Sequence, residues 1–199
     1  VLKEAQDLGY AEADPSFDID GVDAAHKLSI LASLAFGTEI DFAHVATTGI
    51  RHVIAADIAE AAALGYRIRL VGMAENGPDG LFQRVHPMLV PTDHPLAHVD
   101  GSLNAVVAEG NFVGRLFFQG RGAGDGPTAS AVVADLIDVA RDEYGDAFAM
   151  PVAALLPQPP ADAGHRTGRA YLRFKVQDRP GVLAEIAAAT RDAGVSIES

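Results

Sequence analysis

The apolar residues of this chain change period twice, and that change narrows the choice of fold more than any other feature. From Gly21 to Phe36 they recur at helical spacing behind an acidic stretch, DPSFDID, of the kind that favours a helix N-terminus. A second helix is predicted over 49–64 (GIRHVIAADIAEAAAL), with Ile50, Val53, Ile54, Ile58 and Ala61 on one face and Gly65 as its stop. The pattern then turns to RIRLVGMAE (67–75), LFQRVHPMLV (81–90), LNAVVAEG (103–110) and NFVGRLFFQG (111–120). These are rich in Val, Leu, Ile and Phe, are separated by Gly, Asn, Asp and Pro, and predict four strands, partly joined as hairpins. Helical period returns over 127–144, with Pro127 at a permitted first-turn position and Gly145 closing it. The fold class expected from this order is α+β, a mixed β-sheet with helices packed on one face.

Residues 151–168 (PVAALLPQPPADAGHRTG) are rich in proline, alanine and glycine and show no period, so they predict a linker. Beyond it YLRFKV alternates like a strand, Pro180 to Ala193 is helical in pattern, and Gly194 precedes a further apolar alternation. The expected organisation is a first domain over 1–150, a linker over 151–168 and a partial βαβ unit over 169–199. Val1 to Gly9 reads as the middle of a helix and Val195 to Ser199 as an unfinished strand, so both termini are expected to be cuts.

Composition excludes several classes of function. A formal net charge of −12 repels phosphate backbones and anionic membranes, which argues against a nucleic-acid partner. The chain has no cysteine, so disulfides and thiolate chemistry are excluded. No apolar run approaches the roughly 20 residues of a membrane span. With 49% apolar residues there is ample material for a core. A cytoplasmic protein is expected.

Glu12, Asp14, Asp18, Asp20 and Asp23, with Glu4 further back, precede Lys27. Such a cluster can bind a cation or an ammonium group, or can simply be a solvated loop feeding a helix. At about 100° per residue, Ala24, Leu28, Ile30, Leu31 and Leu34 form an apolar stripe, with His26, Ser29 and Ser33 opposite. Lys27 falls within the stripe and Asp23 borders it, in the acid-before-base i,i+4 order that favours pairing. A charged pair in line with core leucines costs desolvation unless it lines a cleft, so the position favours a site. A lysine that snorkels its ammonium to water is the alternative.

EAQDLGYAEADPSFDIDGVDAAHKLSILA resembles the stretch that homoserine dehydrogenases write as EAQ-x-x-GYAE-x-DP followed by D-x-x-G-x-D-x-x-x-K. HPMLVP, HPLAHVDGSLNAV and QGRGAGDGPTASAVVADL are also similar to that family, so the likeness runs along essentially the whole chain. Ala13, Phe17 and His26 stand where many members carry proline, aspartate or arginine. The resemblance implies that Lys27 is the acid/base group and that Asp23 holds both substrate and lysine. It also implies that Glu12 receives the substrate's ammonium and that Asp18 is a further acidic position at the substrate site. The implied reaction interconverts L-homoserine and L-aspartate 4-semialdehyde, in threonine, methionine and isoleucine synthesis. Its cofactor would be NADP or NAD, bound mainly by an N-terminal domain not contained in this sequence, and a homodimer is implied. Partial burial could tune such a lysine toward its working range.

GRGAGDG (120–126) lies between a predicted strand and helix, where backbone amides can meet an anion or merely make a tight turn. By resemblance, Gly124 matches a glycine that touches the nicotinamide cofactor. His94 and His98 are four apart, but Pro95 and the lack of a third nearby ligand argue against a metal, and packing or turn formation is expected of these histidines. FKVQDRPGVLAEIAAATRDAGVSI resembles the first strand, loop and helix of an ACT domain, implying an amino-acid effector near Gly181. A rival reading of the whole chain is an amino-acid-binding regulatory module without catalysis.

Overall fold

The computed structural model describes residues 14–197 except 144, 163 and 165. The chain divides into two compact units between Thr167 and Gly168.

The first unit is organised around a three-stranded mixed sheet. β1 (Ala46–Thr47) runs parallel to β3 (Gly80–Pro91), which pairs antiparallel with β2 (Tyr66–Gly77) from Tyr66 opposite Pro91 to Gly77 opposite Gly80. Alternation along the hairpin sends Leu70, Gly72 and Ala74 to the same side as Gln83 and Val85. Helix α1 (Ser16–Ile19) leads through Gly21 into helix α2 (Val22–Phe36), which packs on that side, where Ala25, Leu28, Val45 and Val85 form the core. Leu28 lies directly over Gly72. The opposite face carries Met73, Glu75 and Phe82, and Arg166 places its guanidinium 4.2 Å from the Phe82 ring centre while pairing with Glu75. Near the other end of β2, Arg67 and Arg69 hold Asp100 and the carbonyl of Ala97, and the Arg69 hydrogen bond keeps the Asp100 carboxyl below its ordinary range.

The buried face of α2 overlaps only in part the one that the helical wheel selects: Leu28 lies in the core and Ala24 packs against it. Ala25, Leu28, Ser29, Ala32 and Ser33 are buried, whereas Ile30, Leu31 and Leu34 are about half exposed. Small residues let the helix axis approach the sheet, and both buried serines satisfy their hydroxyls on backbone carbonyls. Ser29 donates to His26 O at 2.9 Å, and Ser33 donates to Thr38 O.

Helix α3 (Ala55–Ala63) begins six residues later than expected. The Asp57 carboxylate accepts the Ile54 amide at 2.8 Å and fixes the start, while tertiary bonds draw the preceding segment away from helical geometry. Thr48 N donates to Val85 O at 2.8 Å and Ile50 N to Ile19 O at 2.9 Å. Gly49 between them lies against the backbone of residues 19 and 20, where an added Cβ would stand 2.2 Å from Ile19 O.

β4 (Leu103–Gly110) and β5 (Gly114–Arg121) form a separate antiparallel hairpin; β5 starts after a turn that takes up 111–113. Helix α4 (Asp125–Ala140) follows and ends four residues before the predicted end at 144, and Asp142 just beyond it turns to a φ of 60°. The stretch 151–168, read from composition as a linker, runs along the first unit: Leu156 exchanges backbone hydrogen bonds with Gly37 and Glu39, and Leu81 with Pro159 and Ala161.

In the second unit, helix α5 (Val182–Asp192) starts from Gly181 at a φ of 89°. Leu172, Phe174 and Val176 line an open groove of about 580 Å³ with Val182, Ile186 and Ala189, so the alternation of YLRFKV does set one edge toward the helix. The strand expected there is not a ladder strand, because among the described residues no second segment pairs with it. No described helix is long and apolar enough to cross a membrane.

Gly49→Ala is expected to destabilise the first unit by about 2 kcal/mol or more, the scale of forced overpacking. Urea denaturation should show a lower midpoint, and an unchanged one would mean the 47–51 segment is free to move away from α1.

Candidate functional site

Asp23 and Lys27 sit one helical turn apart on α2, and their side chains meet with Nζ 2.6 Å from Oδ2. Because the core claims the face of Ala25, Ser29 and Ala32, this pair points the other way, beside Ile30 and Leu34. The expected burial of Lys27 is absent: its side chain is 65% exposed and that of Asp23 36%. The pair is therefore a directed, open ion pair rather than a desolvated one. A held ammonium on an accessible face can reach a ligand oxygen, which a core-facing one could not.

The acidic run ahead of α2 separates into two kinds of carboxylate. Asp14 accepts the Ser16 amide at 3.0 Å, and hydrogen bonding from Ser16, side chain first, holds its carboxyl below the ordinary range. Asp20 takes both ends of the Arg51 guanidinium, Nη2 at 2.9 Å and Nε as well, which lowers its carboxyl and raises the arginine. These two fix the chain path. Asp18 is exposed on α1 and makes no side-chain hydrogen bond or ion pair among the described residues. Glu12 lies outside the described residues. Arg51, 31 positions from its partner, carries no local signal of this role in the sequence.

Gly124 caps α4 with a φ of 106°, a conformation suited to glycine. It lines an open depression of about 550 Å³ with Asp125, Thr128, Ala129, Val132 and Val133, and no α2 side chain is among these walls. A carboxylate in the first turn together with valines opposes a pyrophosphate there and suits the flat, weakly polar ring of a nicotinamide. The residues present thus fit the ring end of such a cofactor, not its phosphates.

The histidines are occupied locally. His94 Nδ1 accepts the Leu96 amide at 3.3 Å at the head of the 3₁₀ turn Pro95–His98, and His98 Nε2 lies 2.7 Å from Thr92 O. His86, part-buried in β3, has its pKa lowered by burial and then by the neighbouring Arg84. Among the described residues no group of three or more His, Cys, Asp or Glu side chains is placed to hold a metal.

The family model described as homoserine dehydrogenase matches residues 1–137. A homoserine dehydrogenase of Pseudomonas aeruginosa is 48% identical over 206 residues, an alignment that takes in 100% of this chain and 47% of the relative. The chain belongs to the homoserine dehydrogenase family. The crystal structure of the homoserine dehydrogenase from Thiobacillus denitrificans superposes with a TM-score of 0.80 at 42% identity, covering 100% of this chain and 47% of that one. A hyperthermophilic archaeal homoserine dehydrogenase solved in complex with NADPH matches with a TM-score of 0.58 at 34% identity, over 73% of this chain and 40% of that one. The chain thus spans about half the length of the homoserine dehydrogenases it matches.

An exposed i,i+4 pair contributes about 0.3–0.5 kcal/mol at most, so Asp23→Ala is expected to leave the denaturation midpoint nearly unchanged. A larger loss would make the pair a structural strut. For His86 the folded pKa lies below the unfolded value of about 6.5, so its contribution to stability is full above that pH and is lost as pH falls through the folded value. Thermal melts from pH 7.5 to 5 should show this decline, and His86→Gln should flatten it.

Proposed function

We propose that this chain supplies the substrate side and the acid–base group of an NAD(P)-dependent enzyme interconverting L-homoserine and L-aspartate 4-semialdehyde. The observation that carries the reading is the Asp23–Lys27 contact on the outward face of α2, 2.6 Å long and accessible to a ligand. Homoserine presents an ammonium and carboxylate at one end and an alcohol at the other. Asp18, which lacks a partner among the described residues, and Glu12, which lies outside them, suit the ammonium; Lys27 suits the alcohol oxygen.

In the reducing direction, the Lys27 ammonium donates a proton to the aldehyde oxygen as that oxygen gains charge; in the oxidising direction, its neutral amine accepts the hydroxyl proton. Asp23 keeps Nζ aimed and is in reach of the same substrate oxygen through the lysine. The nicotinamide, when bound, accepts or supplies the hydride at the adjacent carbon. Gly124 would let that ring approach the backbone at the head of α4. The pathway in this reading is threonine, methionine and isoleucine synthesis, in the cytoplasm. A homodimer is supported by the apolar side chains that β5 and α4 leave half exposed, Phe117, Phe118, Val132 and Leu136 among them. The second unit is read as ACT-like, with a small amino acid near Gly181 as effector.

In the parent-length protein, Lys27→Ala is expected to lower kcat by about 10²–10⁴-fold, the usual worth of a positioned proton donor. Homoserine binding, read by calorimetry, should change little. Retained turnover would reject the assignment and favour an amino-acid-binding module without catalysis.

A further inference from the structure

Helix α1 carries Asp18 yet buries none of its residues. Something other than core packing must therefore hold this carboxylate at a fixed place beside α2. One tether is the Asp20–Arg51 pair with the neighbouring Ile50 N to Ile19 O bond at 2.9 Å, which anchors the C-terminal end of α1. The other involves a cluster of rings. His26, the residue before Lys27, has its ring 4.0 Å from that of Phe42 and 5.6 Å from that of Phe17, at tilts of 49° and 50°. Phe17 immediately precedes Asp18, and Phe42 lies in the segment that returns from the end of α2. Three chain segments thus meet on one imidazole, although Phe17 and Phe42 are 52% and 41% exposed. Exposed rings gain little from burial, so the cluster is better suited to fixing geometry than to supplying stability.

We propose that His26 is a positioning residue: its ring, clasped between Phe42 and Phe17, sets α1 against α2 and so holds Asp18 at the distance from Lys27 that a homoserine-length substrate requires. The inference rests on the reading of Asp18 and Lys27 given above and adds a residue that touches no substrate. A carboxylate that anchors an ammonium grips substrate and transition state alike, so misplacing it raises KM and leaves kcat nearly unchanged.

The test is steady-state kinetics of the parent-length enzyme with homoserine varied. His26→Ala should raise KM about five-fold or more with kcat within about two-fold, the pattern of lost uniform binding. His26→Phe keeps a ring in the clasp and should restore KM. Phe17→Ala should raise KM to the same degree, and the double variant should be no worse than either single one, as for residues acting through one contact. An unchanged KM in His26→Ala, or in Phe17→Ala should the first variant fail to fold, overturns the proposal; so does a His26→Phe variant as impaired as His26→Ala. The two readings fail separately, since turnover retained in Lys27→Ala rejects the acid–base assignment, whereas an unmoved KM with turnover lost in Lys27→Ala rejects only the clasp.

Discussion

The close seating of α2 on the β2–β3 hairpin decides the orientation of everything else in the first unit. Val85 and Ala25 are fully buried, Leu28 covers Gly72, and two serines complete the contact by bonding to backbone carbonyls. Small side chains shorten the distance between helix and sheet, and the short distance leaves one rotational setting for the helix. Lys27 follows Ala25 by two positions, and a helix turns about 200° in two residues. Burial of the alanine therefore sends the lysine outward. The alanines and serines beneath it thus set the outward side on which Lys27 stands, and its contact with Asp23 then holds the ammonium there.

A second constraint is the allocation of carboxylates. A chain with a net charge of −12 that concentrates acids ahead of one helix must offset their mutual repulsion. Arg51 does so for Asp20, the Ser16 amide and hydroxyl do so for Asp14, and Lys27 does so for Asp23. What remains is Asp18 on α1, exposed and with no ion-pair partner among the described residues, which on the proposed reading receives the substrate's ammonium. The same logic explains why Arg51 comes from a segment held by backbone bonds to Ile19 and Val85: its guanidinium has to be delivered across 31 residues of sequence.

Composition and turn residues made the four central strands legible, because runs of Val, Leu, Ile and Phe bounded by Gly, Asn, Asp and Pro suit a sheet and its hairpins. The pairing of Asp23 with Lys27 was legible for a local reason, their i,i+4 spacing. What was not legible depended on distant chain. Residues 49–54 have helical composition, but Gly49 lies against residues 19 and 20 and the bonds made there outweigh propensity. The two-residue strand Ala46–Thr47 exists only because β3 offers it an edge. The wheel grouped Ile30, Leu31 and Leu34 with the buried Leu28 and set the buried Ser29 and Ser33 opposite, since hydrophobicity alone does not register how closely a helix can approach a sheet. In the candidate site, the Asp23–Lys27 pair was visible and its exposure was not. Phe17, His26 and Phe42 are separated by 9 and 16 positions, and no periodicity brings them together.

The outward face of α2 mixes the charged pair with Ile30 and Leu34, both about half exposed. On the proposed reading, water would compete for the Lys27 proton and would weaken its hold on a developing oxyanion, so hydride transfer beside it would gain from exclusion of solvent. Apolar side chains flanking an open ion pair are suited to that need, because a covering surface that buries Ile30 and Leu34 would also dry the space over Lys27. On the proposed reading, the exposure of this lysine is therefore a property of one side of a cleft. Its chemistry depends on what the opposite side brings, and the nicotinamide-bearing part of a longer homoserine dehydrogenase would bring both the hydride partner and the apolar cover.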